Sequence, residues 1–150
     1  MIQTSGPVKY STVKGLLHLD EPWWVDTGIR GRPFSTTLYD GTPGVSMDVT
    51  GREFFPAGYI WDGTSRPIVK GQGKVDAAPS LAHDGGFEGI RAMALHPSAA
   101  KAFDELYFEM LRERGVAPWR LAIRRAGLFL FGWTARRPSR RQEYEHRTAA

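Results

Sequence analysis

The chain has no cysteine, which removes disulfides, thiolate zinc sites and cysteine nucleophiles, so any metal would have to rest on His and carboxylate ligands. Long apolar runs are also missing, and no window approaches the ~20 residues that cross a bilayer, so no membrane span is expected. The longest apolar stretch, 126–133, contains Gly127 and Gly132 and reads as the end of a core helix, with an interfacial anchor as the alternative. Residues 1–7 carry no basic start followed by an apolar run, so no signal peptide is expected. Acidic residues are scarce in one place only. Up to Leu111 there are 10 Lys and Arg against 13 Asp and Glu, whereas from Arg112 onward there are 10 Arg against 3 Glu. Positive charge is therefore a C-terminal feature, suited to an acidic partner and equally to a solvated helix end.

What is present is the composition of one ordinary soluble domain: 150 residues, 41% hydrophobic and 24% charged. Up to residue 61, strand-favouring residues come in short runs separated by turn chemistry, at 16–19, 23–25, 34–39, 45–49, 54–55 and 59–61. That pattern predicts an antiparallel sheet. Asp40-Gly41-Thr42-Pro43-Gly44 is the clearest reverse turn, and the alternation in 45–49 predicts one buried and one wet face. Trp23 and Trp24, as neighbours on a strand, must face opposite sides, one into the core and one outward.

Past residues 68–74, which read as a loop or as a short helix followed by one, three helices are expected. The first starts near Pro79 and meets Gly85-Gly86, where either the helix ends or something approaches closely. The second opens at Pro97 and closes before Gly115, with Phe103, Leu106, Tyr107, Met110 and Leu111 as its core stripe and Asp104 at the stripe's edge. The third runs from Pro118 to about Phe131, with Trp119, Ile123, Ala126 and Leu130 as its buried row and Arg120, Arg124 and Arg125 as a basic flank. The fold class is thus α+β: an N-terminal antiparallel sheet packed against three C-terminal helices in one domain, 1–133, followed by a basic tail, 134–150.

Residues 54–84 concentrate the side chains able to do acid, base or metal chemistry. Asp62 and Ser65 lie on a turn leaving a strand, where side chains are presented rather than packed. His83 and Asp84 are helical neighbours about 100° apart. If the first helix crosses that turn and Asp104 approaches from the second, one imidazole and up to three carboxylates converge, a donor set suited to Mg, Mn or Zn and to activating water for hydrolysis. Two readings stand side by side. In one, Asp62, His83, Asp84 and Asp104 are ligands, base or orienters, with Ser65 positioning. In the other, His83 and Asp104 form a buried hydrogen-bonded lock. A Ser65-His83-Asp104 triad lacks the Gly-x-Ser-x-Gly elbow. His18 and His96 read as surface or capping residues. The Gly71-Gln72-Gly73-Lys74 run lacks the context of a phosphate loop, and the arginine-rich tail offers nucleic acid a phosphate contact without a recognised binding fold behind it.

Several of these segments resemble a family of tailed phages and prophages catalogued as domain of unknown function 1353. The segments are Pro56-Ala57-Gly58-Tyr59, Trp61-Asp62-Gly63-Thr64-Ser65-Arg66-Pro67, Leu81-Ala82-His83-Asp84, Phe103-Asp104-Glu105-Leu106-Tyr107 and Gly115-Val116. They follow the family's order over roughly half the chain. Gly85-Gly86-Phe87 departs from the family's Tyr-Leu-Tyr and takes away an aromatic beside the His-Asp pair. The resemblance implies a phage or prophage origin and a setting in the host cytoplasm or the virion. It also implies that Asp62, Ser65, His83, Asp84 and Asp104 are the matched polar positions. The expectations that follow are a metal-dependent hydrolase of a cell-wall or other polymer, or else a non-catalytic virion or host-interaction protein working with other phage proteins.

Overall fold

The computed structural model describes residues 1–38, 40–62 and 77–131. Ser65, Tyr39, the stretch 68–74 expected as a loop or short helix, and the basic tail lie outside the described residues. The architecture is α+β: among the described residues, seven antiparallel strands are followed by three helices. The strands form two sheets rather than one. The smaller has the order β1 (Tyr10–Val13), β2 (Leu16–Leu19), β7 (Ile60–Trp61), and the larger has the order β3 (Trp23–Asp26), β6 (Arg52–Phe55), β5 (Pro43–Met47), β4 (Phe34–Thr37).

Local chemistry sets the connections. Lys14 and Gly15 both have positive φ, 51° and 78°, the requirement of a two-residue hairpin that keeps the twist of its strands, and so Val13 pairs with Leu16. This hairpin creates β1, a strand with no core-facing period and therefore none expected. Pro43 opens β5 rather than ending the turn before it, at the point where the pairing with β4 shifts register and a missing amide donor does least harm. At Pro56-Ala57-Gly58-Tyr59 the Tyr59 amide donates to Pro56 O, and Gly58 holds φ 81° in the third position, where a type II turn needs it. The chain there passes from the larger sheet to the smaller and aims residues 60–62 at the helices. Trp23 is buried, while Trp24 faces outward under the Arg52 guanidinium, 4.2 Å from its ring centre.

Helix α1 (Ala77–Arg91) runs straight through Gly85-Gly86. A Cβ on Gly85 would stand 2.6 Å from the Phe55 ring, one on Gly86 would overlap the Phe103 ring, and one on Gly89 would come within 2.8 Å of Phe34. What comes close is large side chains: Phe55, Glu53 and Phe34 from the sheet on one side and Phe103 from the second helix on the other. The helix is a central layer, built of small residues so that large ones can reach across it, and this offsets a helix-propensity cost of about 1 kcal/mol per glycine.

The second helix, α2 (Ala100–Glu113), is entered through a 3₁₀ turn, Pro97–Ala99, capped by His96, whose Nδ1 accepts the Ser98 amide at 3.1 Å. It leaves through a Schellman motif: the Gly115 amide donates to Arg112 O and the Val116 amide to Leu111 O, with Gly115 at φ 77°. Its expected stripe, Phe103, Leu106, Tyr107, Met110 and Leu111, is buried throughout.

The third helix, α3 (Pro118–Phe131), is turned the other way from expectation. Leu121 and Arg124 are buried against α2, with Leu128 packed beside them, whereas Trp119, Ile123 and Ala126 are exposed; the side chain of Leu130 lies outside the described residues. Arg124 is no basic flank: its Nη1 donates to the Tyr107 hydroxyl at 2.9 Å within the interface.

Candidate functional site

The site is assembled where α1 packs on α2, with the end of β7 against the neighbouring part of α1. The stripe of α2 buries Phe103 and Tyr107 and thereby turns Asp104, at its edge, toward α1. There His83 Nε2 lies 2.7 Å from Asp104 Oδ1. The other ring nitrogen, Nδ1, stands 4.0 Å from Asp84 Oδ1, beyond hydrogen-bond length, so Asp84 acts on the ring through its charge. Phe87, one turn further along α1, stacks on the imidazole at 4.4 Å between ring centres, and Tyr107 approaches it at 5.4 Å. Phe87 thus supplies an aromatic beside the His-Asp pair from one position past Gly85-Gly86.

The electrostatics follow from this packing. The His83 side chain is 15% exposed and that of Asp104 36%. Burial works against the imidazolium, but the hydrogen bond to Asp104 and the charges of Asp84 and Asp104 outweigh it and hold His83 above its ordinary pKa. The ring therefore keeps its proton to higher pH than a free histidine.

Asp62 is half-buried at the end of β7 and shares a cavity of about 10 Å³ with Tyr59, Trp61, Asp84, Glu88 and Arg91. That volume is room for about one water molecule. The structure brings His83, Asp84 and Asp104 together and sets Asp62 against Asp84 across this cavity. Among the described residues, no three His, Asp or Glu side chains are arranged to hold a metal ion.

A second carboxyl pair lies behind this site and was not anticipated. Glu53, on the inward face of β6, is fully buried, and neither of its carboxyl oxygens has a hydrogen-bond partner among the described residues. Burial first, and then the negative charge of Glu88, holds its carboxyl well above the usual carboxylate range. Glu88, on α1, accepts from the Tyr59 hydroxyl at 2.7 Å and from the Thr36 hydroxyl at 2.9 Å. Glu53 shares its strand face with the buried Phe55 and not with the exposed Phe54, a parity that two adjacent phenylalanines leave open in the sequence.

No protein-family model, curated protein or solved structure matches this chain. The fold and site define an α+β chain with a histidine held beside carboxylates where its first two helices pack together.

Proposed function

We propose that the chain is a phage- or prophage-derived hydrolase in which His83, held by Asp104, is the acid-base group. The observation that carries this reading is the 2.7 Å contact between His83 Nε2 and Asp104 Oδ1, which fixes the ring's orientation and leaves Nδ1 turned toward Asp84. A flanked imidazolium that resists losing its proton suits delivery of that proton to a leaving group. Once neutral, the same nitrogen can take a proton from water. Asp84 and Asp62, at the neighbouring cavity, would position that water, with Ser65 as a further positioning group. A cell-wall or other host polymer is the substrate class that a phage origin favours.

The test is release of soluble fragments from purified bacterial cell walls by the full chain, with and without added Mg, Mn or Zn. We expect His83→Ala and Asp104→Asn to lower the rate at least about a hundredfold while circular dichroism shows both folded. Equal rates in the variants, or none above buffer in the native chain, would defeat the reading.

A second reading is favoured by the burial of His83 between Phe87 and Tyr107, which ties α1 to α2 as a lock does. The protein is then a non-catalytic virion or host-interaction component. Large losses of stability in both variants, with no activity in the native chain, would support it.

A further inference from the structure

Helix α3 presents an apolar row to solvent. Trp119 is 60% exposed, Ile123 44% and Phe129 89%, with Ala122 and Ala126 exposed between them. At about 100° per residue, Trp119, Ala122, Ile123 and Ala126 fall within a single third of the helix circumference, opposite the Leu121, Arg124 and Leu128 face that packs on α2. Arg120 borders this row on one side and Arg125 on the other, and neither is spent on an acid of the helix, because residues 118–131 contain no Asp or Glu. Each guanidinium rests on an aromatic ring at its own edge of the helix, Arg120 over Trp119 at 5.1 Å and Arg125 over Phe108 at 4.7 Å.

We infer that this face of α3 binds the surface of an anionic lipid bilayer, with the helix lying in the headgroup plane. Three observations select that occupant. A wet apolar row bordered by arginines is the layout that lets rings and aliphatic groups enter the acyl boundary while the charged heads stay at phosphate level. The charge is one-sided well beyond the helix: the sequence from 114 to 142 holds eight Arg and no Asp or Glu, which complements anionic headgroups. The same excess argues against a second copy of this chain, since two such faces would bring arginines against arginines. No helix among the described residues is long and apolar enough to cross a membrane, so the association is with one surface.

The experiment is flotation of the full chain with vesicles of phosphatidylcholine, with and without about 30% phosphatidylglycerol. Retention is expected on the anionic vesicles alone, falling when salt is raised from about 0.1 to 0.5 M. Trp119→Ser combined with Ile123→Ser should weaken retention more than about tenfold, since the two largest apolar groups in the middle of the row no longer enter the membrane. Both positions are on the surface, so the melting temperature should not move, and a folded variant keeps the comparison valid. No retention of the native chain, equal retention of the double variant, or tighter binding to a single-stranded nucleic acid at matched salt would each overturn the inference.

Discussion

His83 Nε2 and Asp104 Oδ1 lie 2.7 Å apart across the packing of α1 on α2, although 21 residues separate them in the chain. The pair joins the central helix to its outer neighbour beside Tyr107, whose ring lies 5.4 Å from the imidazole.

The pair makes stability depend on pH with a definite sign. Because the folded protein raises the His83 pKa above the ordinary 6.5, the contribution is full below pH 6.5 and is lost as pH rises through the folded value. Asp104→Asn should therefore destabilise most between about pH 5 and 6.5, and least at pH 9. Asp104 is partly open to water, so a discounted loss of about 1 kcal/mol is expected, some 2–4 °C in melting temperature. Thermal denaturation of both proteins at three pH values checks this, and a gap that widened toward pH 9 would contradict it.

Glu53 gives a second, independent pH effect. Its folded carboxyl holds a proton that the unfolded chain releases above its ordinary value of 4.5, so stability falls as pH rises from about 4.5 through the raised folded value. Glu53→Gln keeps the shape and removes the ionisation. The variant should be about as stable as the native chain at pH 5 and more stable by at least about 1 kcal/mol at pH 8, as urea denaturation would read. A variant less stable than the native chain at pH 8 would mean that Glu53 is charged and held by a partner.

These two groups show how much of the chain could be read from its sequence. His83 and Asp104 were legible because Asp104 sits at the edge of an unambiguous apolar stripe and His83 is the single histidine on the preceding helix. Helix ends were legible wherever punctuation was chemical, as at Pro97, Gly115 and Pro118. Glu53 was not, because the adjacent Phe54 and Phe55 hide which parity of the strand faces inward. The orientation of α3 was misread for a related reason. Both its faces carry apolar residues, and an arginine, Arg124, lies in the buried one, so periodicity located a helix without telling its inside from its outside. The Gly85-Gly86 pair was ambiguous because a glycine can mark either an end or a close approach, and only packing partners distant in sequence decide between them.

The glycines of α1 supply the last test, in which propensity and packing make opposite predictions. Gly86→Ala should stabilise an isolated helix by about 1 kcal/mol, because alanine loses less backbone entropy on ordering. In the folded chain the added Cβ would overlap the Phe103 ring, which is fully buried and has no free space to swing into. Overpacking of this kind costs about 1–3 kcal/mol and exceeds the propensity gain, so the net expectation is a loss of up to about 2 kcal/mol. Phe103→Leu alone should also destabilise, by removing buried ring atoms. Combined with Gly86→Ala, however, it should cost less than the sum of the two single changes, because the smaller side chain makes room for the new methyl group. Urea denaturation of the four proteins measures the coupling directly. Additive losses would show that Gly86 is not held open by that ring, and that α1 does not owe its glycines to the side chains reaching across it.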